Sequence, residues 1–267
     1  MSVPILDSSA WREYRGRPAS LGANGTAHLA KIADGTGKLR DCFVKLLPLT
    51  YPSLLGEAIG WLLARASGLT CVPFAAIVIV PLSQLRQSTT LPLELNGIDY
   101  CPAWCCEVVA GKSLRQIHTW AFWLARRQCL HSKDARQIAS FDVWTDLRDR
   151  NYGNVIRSAN GGYIAIDHET ILHDLLWPRT GKVFHSRSLL SEARKHLSYG
   201  DFRRFQVDMA NAASKHAPGF NSVRTDIADI VTKIYPHLSA TLTTEVLKTL
   251  DERAQAGWLA NTLGVIA

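Results

Sequence analysis

The chain has 267 residues, 47% hydrophobic and 20% charged, a composition that excludes a largely disordered protein and leaves room for one two-lobed domain or two small ones. Its longest apolar stretch, Cys71 to Leu82, is broken by Pro73 and Pro81 and is too short to span a bilayer. The net charge of +7 is spread along the chain, 20 Lys+Arg against 15 Asp+Glu up to residue 182 and 10 against 8 beyond it, which argues against a dedicated nucleic-acid arm. Such an excess suits a polyanion site, a nucleoside triphosphate among them, or a merely solvated basic surface. Met1 to Asp7 lacks a basic segment followed by a long apolar core, so no signal peptide is expected and the expected location is the cytoplasm. None of the six cysteines forms a CxxC pair, and reduced, mostly buried thiols are expected rather than zinc ligands or a disulfide framework.

In chain order, Thr26 to Ile32 and Asp41 to Leu47 read as strands joined through the turn Asp34-Gly-Thr-Gly37. Alternation in the second strand puts Phe43 and Lys45 on one face. A helix follows, capped by Ser53, with Leu55, Ile59, Leu62 and Ala66 at helical spacing and Gly68 closing it. Glu57 falls early in that helix, off its main stripe. Phe74 to Val80 reads as a buried strand, residues 84 to 100 as a loop with an Asn96-Gly97 turn, and Tyr100 to Val109 as another strand. From Ser113 the period turns helical, with one stripe at Ile117, Trp120, Leu124 and Ala125 and another at Ile138, Phe141, Val143 and Trp144. Trp120, Trp123 and Trp144 are expected in the core. The period stops between Asp146 and Asn154. Two short strands, Val155 to Arg157 and Tyr163 to Ile166, then flank the hairpin signal Asn160-Gly161. Leu189 to Leu263 is mostly amphipathic helix, with breaks near Pro218-Gly219 and Pro236.

The chemistry-bearing set is Asp149-Arg-Asn-Tyr-Gly-Asn154, a hairpin, and Ile166-Asp167-His168. This spacing suits phosphoryl transfer: one carboxylate orients and deprotonates an attacking hydroxyl, while an amide oxygen and a second carboxylate hold Mg²⁺, which prefers hard oxygen ligands. Upstream, Lys45 on a strand and Glu57 on the next helix suit a phosphate-binding lysine and the glutamate that fixes it. The segment from Glu107 through Val109 to Gly111 ends the strand before the first later helix, where a hinge facing adenine is expected.

Phe43-Val-Lys45, Glu57 with Ala64-Arg-Ala-Ser-Gly-Leu69, Asp149-Arg-x3-Asn154 and Ile166-Asp167-His168 resemble the HipA-like kinases and, more distantly, phosphatidylinositol-kinase-type catalytic loops. The resemblance covers about residues 20 to 175 with motifs. It implies an α+β, two-lobed protein-kinase-like fold, with a small β-rich N-lobe containing one helix (1–107) and a mostly helical C-lobe (108–267) forming one catalytic unit. It further implies ATP and Mg²⁺ as cofactors. Asp149 would be the base, Asn154 and Asp167 the metal ligands, and Lys45 the contact to the α/β phosphates with Glu57 as its partner. The hinge at Glu107 and Val109 would meet the nucleotide, and His168 would order the metal-binding turn. Arg150 has two readings, a contact to the transferred phosphate and a structural ion pair.

The chain departs from the family pattern twice. Ser20-Leu-Gly-Ala-Asn-Gly25 matches a glycine-rich phosphate lid poorly, and Glu169 stands where kinases often place glycine. A Ser or Thr hydroxyl, expected on a protein, is the implied acceptor, with an antitoxin-like regulator as a further partner. Membrane contact and direct contact with nucleic acid are not expected. The rival readings are a nucleotide-binding pseudokinase or scaffold and a kinase for a lipid or small molecule; Ser20 is read as a loop serine rather than an autophosphorylation site.

Overall fold

The computed structural model describes residues 2–18, 25–117, 119–182, 184 and 186–266, with Thr119 and Arg179 described by their backbone alone. Ser20 and the expected phosphate lid, apart from Gly25, lie outside the described residues. The fold is mixed α+β, a sheet-rich N-terminal region followed by a mostly helical C-terminal region. Two compact units are distinguished: a sheet unit, Ser2–Leu54 with Val72–Val109, and a helical unit, Leu55–Cys71 with Ala110 onward. Helix α1 (Ser53–Ala66) therefore groups, from Leu55, with the helical unit, whereas the sequence-based division assigns it to residues 1–107.

In the sheet unit, β1 (Ile5–Leu6), β2 (Trp11–Gly16), β3 (His28–Ala33), β4 (Leu39–Leu46), β5 (Ala75–Pro81) and β6 (Tyr100–Glu107) form one sheet in the order β1-β5-β6-β4-β3-β2. All pairings are antiparallel except β1 with β5. Short helix α2 (Leu82–Arg86) follows β5 and runs into the segment, residues 84 to 100, expected to be loop. The β3–β4 turn is built by Asp34, whose carboxylate accepts from the Thr36 hydroxyl and from the Thr36 and Lys38 amides, with Gly37 at φ 84°. Those bonds, Thr36 foremost, and the Arg40 guanidinium hold the Asp34 carboxyl well below the usual carboxylate range. Alternation along β4 sends Cys42, Val44 and Leu46 into the core with Ala30, Ile32, Val78 and Cys105, leaving Phe43 and Lys45 on the other face.

In the helical unit, β7 (Gly111–Ser113), β8 (Val155–Ser158) and β9 (Tyr163–Ala165) make a small antiparallel sheet. The helices are α3 (Thr119–Leu130), α4 (Lys133–Trp144), α5 (His173–Leu176), α6 (Leu189–His196), α7 (Tyr199–Ala212), α8 (His216–Ile234), α9 (Ser239–Ala254) and α10 (Trp258–Leu263). Pro218 occupies the third position of α8, where its missing N–H costs no helical bond, so the break comes just before His216. Among the described residues no helix is long and apolar enough to cross a membrane.

The tryptophan expectation needs correction. Trp144 is fully buried, but Trp120 and Trp123 are 78% and 56% exposed. The inward stripe of α3 is Phe122, Ala125 and Cys129, which leaves both indoles on the opposite side.

His216 stacks on Trp144 at 4.4 Å and lies 3.3 Å from the Ser140 hydroxyl, which donates to the Met209 carbonyl, so the imidazole Nε2 is the donor to Ser140. Burial lowers its pKa from 6.5 to about 3. Between those values the unfolded chain binds the proton and the folded one does not, so stability is complete above 6.5 and falls with pH. This one group should cost about 2 kcal/mol between pH 8 and pH 5. His216→Phe keeps the stacking and should remove that part of the pH slope, read from urea midpoints at the two pH values; an unchanged slope would refute the assignment.

Candidate active site

Arg150 is the pivot of the helical unit. It follows Asp149 in the loop between α4 and β8 and has no solvent exposure. Its Nε and Nη2 donate to the Asp142 carboxylate on α4 at 3.0–3.2 Å. On its other side Nη1 donates to the Ile166 carbonyl and reaches the Asn154 and Asp167 carbonyls at 3.4 and 3.5 Å. Nη2 also donates to His168 Nδ1 at 3.2 Å. One guanidinium thus ties the start of the loop (149–150), its end (154) and the turn after β9 (166–168). Of the two readings of Arg150, the structural ion pair is the one formed.

His168 is held neutral by this arrangement. Its Nδ1 accepts from Arg150, which puts the ring proton on Nε2. Burial, and next the Arg150 charge, lower its pKa to about 3, Asp167 opposing them. Asp142 is displaced upward by its burial, with Arg150 pulling it back.

The loop is shaped by its own amides. Asn151 Oδ1 accepts from the Gly153 N–H at 2.7 Å, and its Nδ2 donates to the Asp149 carboxylate at 3.2 Å. Asn154 Nδ2 donates to the Asp149 carbonyl at 2.8 Å, which leaves its Oδ1 out of that bond. The Asp149 N–H donates to the buried Thr170 hydroxyl at 3.3 Å. Asp167 sits at φ 63°, a left-handed conformation that outside glycine is adopted most readily by asparagine and aspartate.

Helix α1 enters the same unit from more than a hundred residues upstream. Glu57, 3% exposed, accepts from the His168 N–H at 2.9 Å. Its carboxylate and those of Asp167 and Glu169 lie within 4.8 Å of one another. Close approach is permitted by Gly56 and Gly60, one turn apart: a Cβ on Gly56 would run into the Glu169 carbonyl, and one on Gly60 into the His168 side chain. In an exposed helix, Gly→Ala stabilises by up to about 1 kcal/mol. Gly60→Ala should instead destabilise by about 2 kcal/mol, because the backbone behind His168 must give way. A urea midpoint at or above wild type would contradict this packing.

The sheet unit carries the remaining expected residues. Lys45 lies on β4 opposite Trp104 of β6. The Glu107 carboxylate, at the end of β6, accepts from Arg40 at 2.9 Å, and Arg40 in turn bonds Asp34 and covers the Phe74 ring at 4.7 Å. The Glu107 and Val108 amides donate to the Phe74 and Asp41 carbonyls. Half-buried Val109 follows as the last residue of this unit. The side chain of Glu107 is thus engaged within its own sheet.

Asp149, Asn154, Asp167, Glu57 and Glu169 come together within the helical unit. Asp142, Asn151, Thr170, Gly56 and Gly60 were not anticipated. Two glycines four residues apart in an otherwise apolar helix were the signal available for the last pair.

No family model matches the chain, and no curated protein does. Among solved structures the chain is similar to the proinflammatory kinase CtkA of Helicobacter pylori, at 14% identity with a TM-score of 0.47, over 94% of this chain and 99% of that one.

Proposed function

We propose that the chain is an ATP- and Mg²⁺-dependent phosphotransferase of the HipA-like kind, moving the γ-phosphoryl group to a Ser or Thr hydroxyl of a protein. The observation that carries this reading is the clamp made by Arg150, which holds the Asp149 loop, Asn154 and the Asp167 turn to one buried cation. Phosphoryl transfer asks little covalent chemistry of a protein and a great deal of fixed geometry, and a clamp of this kind supplies it.

Asp149, steadied by Asn151, would align the acceptor hydroxyl and take its proton. The donors on the other side of the clamp are all hard oxygens: Asn154 Oδ1 and the carboxylates of Asp167, Glu169 and Glu57. That set fits a hard divalent cation such as Mg²⁺ and does not suit a soft metal. Mg²⁺ held there supplies charge neutralisation at the phosphates. Asn154 and Asp167 are the proposed ligands, with Glu169 beside them. Lys45 is proposed to contact the α/β phosphates, and the backbone from Glu107 to Val109 the adenine. Glu57, read from sequence as the partner of Lys45, also accepts from the His168 amide, which supports a further role in fixing the metal-side turn.

The test is transfer from γ-labelled ATP with Mg²⁺ to the chain itself or to lysate proteins. Asp149→Ala should lower incorporation by about 10³-fold, the usual range for losing a positioned general base. Equal incorporation by wild type and Asp149→Ala would overturn the reading.

A further inference from the structure

The helical unit has a pocket of about 310 Å³ at the catalytic loop, lined by Asn151 and Gly153 of that loop with Arg115, Phe122, Arg187 and Glu192. Both arginines are attached to the loop. Arg187 pairs with it through backbone: its N–H donates to the Arg148 carbonyl at 2.8 Å, and its carbonyl accepts from the Arg150 N–H at 2.9 Å. The Arg115 side chain, just beyond β7, passes Gly153, its Cδ lying 3.8 Å from where a Cβ on that glycine would be. Both residues are exposed.

Neighbouring charges show what sets these two apart. Arg148 is paired with Asp146 and Asp174, and Arg150 with Asp142. Among the described residues no carboxylate pairs with Arg115 or Arg187. Glu192, which lines the same pocket, has His196 Nε2 at 3.5 Å. The pocket therefore offers two guanidiniums, unpaired among the described residues, at the loop that carries Asp149. Guanidinium forks match carboxylate and phosphate oxygens, and a partly enclosed pair strengthens the match.

We propose that this pocket is the acceptor subsite, and that Arg115 and Arg187 select an acceptor whose hydroxyl is flanked by an anionic group, a carboxylate or a phosphate. This rests on the phosphotransferase reading above and gives it a substrate class. The even spread of charge along the chain then has a local focus, in two cations that no carboxylate pairs with among the described residues.

Binding and transfer are to be measured separately on the full chain at 0.15 M salt, an ionic strength that screens diffuse surface attraction. Fluorescence anisotropy would use three labelled serine peptides, flanked by glutamates, by phosphoserine or by lysines, with free phosphoserine as competitor. The glutamate and phosphoserine peptides should bind at least about tenfold tighter than the lysine peptide. Arg115→Glu/Arg187→Glu should abolish the preference, while the charge-matched remote control Arg12→Glu/Lys248→Glu should keep it within about twofold. Competition by free phosphoserine at concentrations near the peptides' own would assign the subsite to a small phosphorylated acceptor, and failure to compete would assign it to a peptide. Equal binding of all three peptides, or an equal loss in the remote control, would overturn the inference. Transfer assayed with Asp149→Ala separates the two readings. Charge-selective binding through both arginines with Asp149-independent incorporation leaves the anion subsite and removes the kinase. Asp149-dependent incorporation with no charge preference does the reverse.

Discussion

Arg150→Met is expected to destabilise the chain by about 3–5 kcal/mol, the range for stripping a buried carboxylate of its partner. Asp142 is 2% exposed and sits on α4 with the guanidinium as its counter-charge. At this chain length the loss corresponds to a fall in Tm on the order of 10 °C. The deficit has a pH signature. Burial already pushes the Asp142 carboxyl up while Arg150 pulls it down, so removing Arg150 raises it further. A carboxyl raised in the folded state binds its proton there before the unfolded chain does, and stability then increases as pH falls. Relative to wild type, Arg150→Met should therefore recover part of its loss on acidification. Arg150→Met/Asp142→Leu, which removes both charges and keeps the volume apolar, should regain most of the stability at neutral pH. It should not regain transfer, because the Asn154, Ile166 and Asp167 carbonyls and His168 have still lost their common donor. Arg150→Lys keeps the charge but not the fork, and should fall between wild type and Arg150→Met in both measurements. A double variant with wild-type transfer would show that Arg150 only neutralises Asp142 and positions nothing.

Spacing alone brought out Asp149, Asn154 and Asp167, because a loop feeding a tight hairpin is a local arrangement. The hairpin itself was legible from Asn160-Gly161, with Gly161 at φ 84°. The alternation that puts Phe43 and Lys45 on one face was equally local. What holds the three residues in place was not legible. Arg150 offered two readings, and the choice between them depends on a carboxylate one helix back and carbonyls 16 residues ahead. Glu57 reads as a charge off the stripe of an amphipathic helix, yet α1 is buried along its first twelve residues and the glutamate answers an amide 111 residues away. The indoles of Trp120 and Trp123 fail for a related reason. The outer face of α3 is nearly as apolar as its inner face, so its pattern carries little information about which side packs. Edge strands were the other omission: β1 is two residues long, and β2 intersperses Arg12, Glu13 and Arg15 among its aromatics.

Asp167→Asn is expected to separate stability from function more cleanly than any other change at the site. The backbone at Asp167 is left-handed, a conformation asparagine tolerates and alanine adopts at a cost of about 1–2 kcal/mol. Asp167→Asn should therefore fold much like wild type, and Asp167→Ala should be measurably weaker by urea denaturation. Both remove one of three carboxylates lying within 4.8 Å of one another. If those carboxylates serve Mg²⁺, the ion stabilises the folded chain by mass action, about 2.7 kcal/mol at a hundredfold excess over its Kd. The wild type should then show a Tm that rises with Mg²⁺ by several degrees and returns with chelator, a readout independent of any acceptor. Asp167→Asn should lose that shift and lower transfer from γ-labelled ATP by about 10²–10³-fold. Loss of transfer with the Mg²⁺ shift intact would move the metal off Asp167 and onto the neighbouring carboxylates. Retention of both in Asp167→Asn would remove the phosphoryl-transfer assignment at this turn, since the left-handed turn, the clamp and the carboxylate cluster all converge on that residue.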